Sequence, residues 1–143
     1  MTPYPSVLVV EDDAAIRDLL VTALGREPLR VDTAADGAEA LEKLAGARYA
    51  VLLLDLMLPR VSGYALLEIL RARQTAGTLM VIVMTAFDDA AIRALDAEQV
   101  HACIRKPFDL LMVSELVRDC AQLMQAVQGY AAGDERSVET PGN

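Results

Sequence analysis

Five short apolar runs alternate along the chain with stretches of helical spacing. The runs are "VLVV" (7–10), "LRVDT" (29–33), "VLLL" (51–54), "LMVIVM" (79–84) and "ACI" (102–104). Three of them show no polar alternation, the pattern of strands buried on both faces. "LRVDT" does alternate, which suits an edge strand. In the first intervening stretch Ile16, Leu19, Leu20, Ala23 and Leu24 recur at helical spacing, with Asp12 or Asp13 placed to cap the start. A second helix is expected over roughly 37–46 with Leu41 and Leu44 inward, and a third over roughly 63–73 with Leu66, Leu67 and Leu70. A fourth, near 88–97, has only Ile92 and Leu95 as strong apolar anchors and should be short and weakly held. The last, over roughly 109–127, carries Val113, Leu116, Val117, Cys120 and Met124 on one stripe, which places Cys120 in the core.

Five βα units predict an α/β fold: a parallel sheet with helices on both faces and right-handed crossovers. Residues 1–127 then form one domain. The polar, glycine-containing end, 128–143, reads as a disordered tail or a linker to an output domain.

Composition narrows the choice. The chain has 143 residues, 54% of them hydrophobic, enough for a real core, and a formal net charge of -8. That charge argues against direct binding to nucleic acid or to an anionic membrane surface. No apolar run approaches the roughly 20 residues of a membrane helix. The opening "MTPYPS" lacks a signal-peptide pattern, so a cytoplasmic location is expected. The two cysteines, Cys103 and Cys120, are then expected as reduced, small core residues. His101 beside Cys103 is too little for a zinc site and reads as a loop residue.

The chemistry lies at the strand ends. Glu11, Asp12 and Asp13 follow the first strand, Asp55 the third, Thr85 the fourth, and Lys106 the fifth. In an open parallel sheet these positions share one edge, and ligands bind where the winding reverses. With strand order 2-1-3-4-5, Asp12 and Asp55 become neighbours. Repulsion between close carboxylates needs relief by a cation or a proton. A hard oxygen cluster of this kind suits magnesium. Metal, ammonium and hydroxyl together are what a transferring phosphoryl group requires. A carboxylate can itself be the nucleophile, and Asp55, alone after its strand, is the best candidate.

The segments "VLVVEDD", "VLLLDLMLPRVSG", "VMTA" and "IRKPF", in this order over roughly residues 6–127, resemble the receiver domains of bacterial response regulators. The resemblance implies a flavodoxin-like (βα)5 fold and phosphotransfer from a histidine kinase or phosphotransfer protein to Asp55. It implies no other enzymatic activity than transfer to this Asp and slow hydrolysis of the acyl phosphate. Carried over, Asp12 binds magnesium directly, Glu11 acts through water, and the Met57 carbonyl completes the protein ligands beside Asp55. Thr85 contacts the phosphoryl group and shifts on activation, Lys106 pairs with it, and the Lys106–Pro107 bond is cis. Gly63 fits the turn opening the third helix. Ala86 leaves room for the phosphoryl group, while Met57 and Phe87 are bulky enough to slow its hydrolysis. The implied partners are the phosphodonor and a downstream protein or output domain; a homodimer through the last strand and helices is compatible with this.

Cys103 departs from the pattern. Receivers usually carry an aromatic residue there that changes rotamer when the threonine moves. A thiol cannot fill an aromatic pocket, so signalling is expected to rely on the loop after the fourth strand and on the fourth helix. Three other classes compete. An aspartyl-phosphate hydrolase commonly needs a second Asp two residues after its nucleophile, where Met57 stands. A flavodoxin-type electron carrier needs a hydroxyl-rich phosphate loop where this chain has "EDDAA". A receiver-like docking domain that no longer switches is the reading that Cys103 keeps open.

Overall fold

The computed structural model describes residues 4–73, 79–86 and 89–139. The elements run β1 (Ser6–Val10), α1 (Ala14–Leu24), β2 (Arg30–Ala34), α2 (Gly37–Gly46), β3 (Val51–Asp55), α3 (Gly63–Ala72), β4 (Met80–Thr85), α4 (Asp89–Arg93), β5 (Val100–Arg105) and α5 (Leu110–Glu139). All strand pairs are parallel, and the five-stranded sheet has the order β2-β1-β3-β4-β5. This is the flavodoxin-like arrangement, with β1 and β3 side by side at the reversal of winding.

The sheet divides the core in two. Val7, Val9, Leu53, Ile82 and Met84 turn to one face and pack with Leu20 and Leu24 of α1 and Val113, Val117 and Met124 of α5. Leu8, Val10, Leu52, Leu54 and Val83 turn to the other and pack with Ala40 of α2 and Leu66, Leu67 and Leu70 of α3. The central strands are apolar on both faces because each face is covered. β2, at the edge, keeps its alternation, with only Ala34 fully buried.

Several expectations need correction. Leu19 shares the helical spacing of α1 but faces outward, 54% exposed, because Leu20 and Leu24 take the core positions. α4 ends at Arg93 rather than near 97. The chain turns where Asp96 accepts from Glu98 N–H with its side chain and from Gln99 and Val100 N–H with its carbonyl, a local alternative to helix. Cys103 is exposed, not a core residue, because β5 is an edge strand and its burial alternates. Cys120 is partly buried against the α1–α5 side of the core. His101 lies within β5 rather than in a loop. α5 runs to Glu139.

Two glycines hold the loops that frame the carboxyl edge. A Cβ on Gly63 would sit 2.5 Å from Leu56 Cα and 2.7 Å from the Asp55 carbonyl oxygen, so α3 starts directly against the end of β3. A Cβ on Gly37 would sit 2.1 Å from the Val61 carbonyl oxygen, which brings the start of α2 onto the β3–α3 loop. Arg60, in that loop, adopts a left-handed φ of 66° and pairs with Asp36, the N-cap of α2, at 3.1 Å.

Candidate functional site

The polar residues at the strand ends converge as their positions require. Glu11 is fully buried, with its N–H donating to the Ala34 carbonyl and so extending the pairing of β1 with β2. Asp13 caps α1, accepting from Ala15 N–H at 2.9 Å and Ile16 N–H at 3.2 Å. That division of labour leaves Asp12, which is exposed, unused by the cap and open to the site. Arg17 reaches back from α1 and donates from Nη1 to the Glu11 carbonyl at 2.9 Å, tying the β1–α1 loop to its helix. The sequence pattern gave no sign of this contact, because Arg17 reads as a solvated helix residue.

Asp55 ends β3 and is 4% exposed. Its Oδ1 accepts from Met57 N–H at 3.0 Å, which orients the carboxylate. Its Oδ2 lies 3.0 Å from Lys106 Nζ, and the same ammonium lies 2.7 Å from Glu11 Oε1. Lys106 is placed by its own backbone, whose N–H donates to the Thr85 carbonyl at 2.9 Å, and the Lys106–Pro107 bond is cis. Thr85 ends β4 and is fully buried. Met57 is 56% exposed beside the pocket, and Ala86 is exposed at its rim. Phe87 lies outside the described residues.

The electrostatics answer why a hydrophobic strand ends in carboxylates. One oxygen each from Glu11, Asp12 and Asp55 lies within 4.8 Å of the others. Burial, offset in part by the Lys106 hydrogen bond and reinforced by the contact with Asp55, pushes the Glu11 carboxyl up to about 7. Burial works against the Lys106 charge, but the two carboxylates outweigh it and hold the ammonium above its ordinary range. A single ammonium therefore compensates the cluster incompletely. Three oxygen donors of this hardness, undercompensated and partly open through Asp12, fit a magnesium ion.

Away from the pocket, burial raises the Cys120 thiol, and partial desolvation raises that of Cys103. Neither is the depressed thiol of a reactive cysteine. His101 does not join the pocket; its Nδ1 accepts from Val81 N–H at 3.1 Å.

Comparison with known proteins agrees with this geometry. The family model described as response regulator receiver domain matches residues 7–118. Response regulator MprA of Mycobacterium ulcerans is 41% identical over 107 residues, covering 73% of this chain and 44% of that protein. The chain thus spans less than half the length of the MprA regulators it matches. Among solved structures, response regulator TrrA of Thermotoga maritima, in complex with Mg2+ and BeF, is 28% identical with a TM-score of 0.71; the match covers 81% of this chain and 98% of that one. The receiver domain of Francisella response regulator 1452 is 30% identical with a TM-score of 0.73, over 86% of this chain and 98% of that one. With the fold, the acidic pocket and these matches together, the chain belongs to the receiver domain family of two-component response regulators.

Proposed function

We propose that this chain accepts a phosphoryl group on Asp55 from a histidine kinase or histidine phosphotransfer protein, with magnesium, and that the phosphorylated form changes partner binding. The observation that carries this reading is Lys106 Nζ held between Glu11 and Asp55, with Asp12 close by. Glu11, through water, and Asp12, Asp55 and the Met57 carbonyl would hold the magnesium ion, which when bound supplies positive charge to phosphoryl oxygens.

The chain's own residues do the rest. Met57 N–H fixes one oxygen of Asp55, so the carboxylate presents a defined nucleophile. That oxygen bonds to phosphorus as the P–N bond of the phosphohistidine breaks, and the imidazole leaves with the electron pair. Lys106 and the Thr85 hydroxyl take up charge on the transferred oxygens. Ala86 leaves space for the group, while Met57 and Phe87 restrict water and lengthen the life of the acyl phosphate. The product adds roughly one to two negative charges at Asp55. With Cys103 in place of an aromatic residue, the response is carried by the loop after β4 and by the short α4.

An apolar groove of about 470 Å3 lies beside Lys106, lined by Ile16, Leu19, Ala86, Pro107, Phe108 and Leu110, and suits the helical face of a phosphodonor. The greater length of the MprA relatives supports an output domain reached through residues 128–143. A cytoplasmic setting follows from the phosphodonor, and no helix among the described residues is long and apolar enough to cross a membrane. A homodimer would use β5 and its flanking helices.

Titration with beryllofluoride and magnesium, read by NMR on wild type and Asp55→Ala, tests the proposal. Saturable, magnesium-dependent shifts in wild type alone are expected. Absence of binding in wild type would replace it with the docking-domain reading.

A further inference from the structure

The chain between Leu56 and Gly63 forms a closed loop. Gly63 N–H donates to the Leu56 carbonyl at 3.1 Å across the base, and Met57 is the first residue inside. The loop turns at Arg60, whose φ is 66°. In that left-handed region the Cβ of an L-residue crowds the following carbonyl oxygen, a cost that glycine escapes. Pro59 precedes Arg60, and a proline followed by a residue of positive φ is the order in which a tight turn ordinarily carries glycine second. An arginine keeps such a conformation only where its surroundings hold it there.

The start of α2 supplies that hold. Arg60 Nη2 lies 3.1 Å from Asp36 Oδ2 and 3.2 Å from Oδ1. Asp36 is a fixed partner: it is the N-cap of α2, its Oδ1 accepts from Glu39 N–H at 2.8 Å, and its side chain is 18% exposed. An ion pair between two mobile side chains at a surface adds little. Here only the arginine has to be ordered. Val61 adds a second contact, because its carbonyl oxygen would lie 2.1 Å from a Cβ on Gly37, the first residue of α2.

We propose that Arg60 is a positioning residue for the metal site: its ion pair with Asp36 holds the left-handed turn of the β3–α3 loop, and that turn keeps Met57 at the pocket. The proposal rests on the phosphoacceptor reading, through the Met57 carbonyl. The bridge is needed because residue 60 is not glycine. A geometric role also differs in sign from a purely electrostatic one. By charge alone, losing the Arg60 cation would favour magnesium and losing the Asp36 anion would disfavour it. If the bridge acts by holding the turn, both losses weaken magnesium binding.

The test is an NMR titration of the full chain with magnesium, together with amide hydrogen exchange in the absence of metal. The variants are Arg60→Ala, Asp36→Asn, the two combined, and Asp36→Asn combined with Arg60→Gly. Asparagine is itself a good N-cap, so Asp36→Asn removes the charge and keeps the acceptor for Glu39 N–H. Each single variant should weaken magnesium binding about threefold to fivefold, the upper range of a surface ion pair. Protection of the Gly63 amide should fall by a similar factor without metal, and Leu53, at the centre of the sheet, should not follow. Arg60→Ala with Asp36→Asn should be no worse than either alone, since both remove one interaction. Arg60→Gly with Asp36→Asn should bind magnesium within about twofold of wild type, because glycine keeps the turn without a tether. Unchanged affinity in both single variants would overturn the proposal. So would tighter binding in Arg60→Ala, an equal loss of protection at Leu53, or a glycine combination as weak as the alanine one. Wild type that takes up no magnesium would overturn the phosphoacceptor reading itself, and this proposal with it.

Discussion

Lys106 Nζ stands 3.0 Å from Asp55 Oδ2, at the end of a strand that shares no direct pairing with β3. β4 lies between them, and the bond from Lys106 N–H to the Thr85 carbonyl carries the lysine across. The ammonium also meets Glu11, so one cation offsets two buried carboxylates. Removing it leaves both without their partner, and breaking a buried pair from one side costs ~3–5 kcal/mol. In Lys106→Met we expect a loss towards the lower part of that range, because the lysine side chain is 19% exposed. Urea unfolding without metal measures it. Saturating magnesium should recover much of the loss, since it supplies the missing charge; an equal loss with and without magnesium would show that the lysine acts through packing alone.

Gly63→Ala should distort the site from behind. The added Cβ would meet backbone at 2.5 Å and 2.7 Å, and neither Leu56 Cα nor the Asp55 carbonyl can rotate away as a side chain could. Overpacking of this kind costs ~1–3 kcal/mol. The expected result is a lower Tm together with weaker magnesium binding, because relief requires moving the end of β3 that presents Asp55. A lowered Tm with unchanged magnesium affinity would place the strain in α3 instead.

The sheet and the convergence of Glu11, Asp12, Asp55, Thr85 and Lys106 were legible because they follow from strand order, and strand order follows from apolar runs that repeat in a βα rhythm. Asp13 as the cap of α1 was legible as one of two choices, and the structure settles it on Asp13. The positions that escaped are those where a side chain serves the backbone. Arg17 on the Glu11 carbonyl and His101 on the Val81 N–H satisfy main-chain groups that no periodicity marks. Cys103 reads as a small core residue from its apolar character and lies exposed instead. β5 is an edge, and its burial alternates. The end of α4 escaped for a related reason: Asp96 competes for the backbone through hydrogen bonds that helical spacing does not encode.

Met57 is apolar, 56% exposed and two residues from Asp55, to which its N–H donates. Its side chain can shield an acyl phosphate, whereas a polar side chain could orient an attacking water. Met57→Asn preserves the backbone donor and should leave phosphorylation intact while raising the rate of phosphoryl loss several-fold. The decay of phosphoprotein after removal of a small-molecule phosphodonor measures this. An unchanged or slower decay would remove Met57 from the residues that set the lifetime.

The proton on Glu11 gives the pocket a definite pH dependence. Its carboxyl is raised from 4.5 in the unfolded chain to about 7 in the folded one, chiefly by burial. Between those values the unfolded chain has released this proton while the folded chain retains it. Stability of the metal-free protein therefore falls as pH rises through that window, and the contribution is fully present only below it. At ~1.4 kcal/mol for each pKa unit, the full effect is roughly 3 kcal/mol. Glu11→Gln mimics the protonated acid: its carbonyl still accepts from Lys106 and its amide can donate to Asp55. In the absence of metal this variant should lack the decline, and at pH 8 it should be more stable than wild type. Magnesium favours the ionised carboxylate, so it should raise the wild-type Tm more at pH 8 than at pH 5. Thermal denaturation of both proteins across pH 4 to 8, with and without magnesium, decides the matter. If wild type and Glu11→Gln keep parallel pH profiles without metal, the proton that relieves the cluster resides elsewhere.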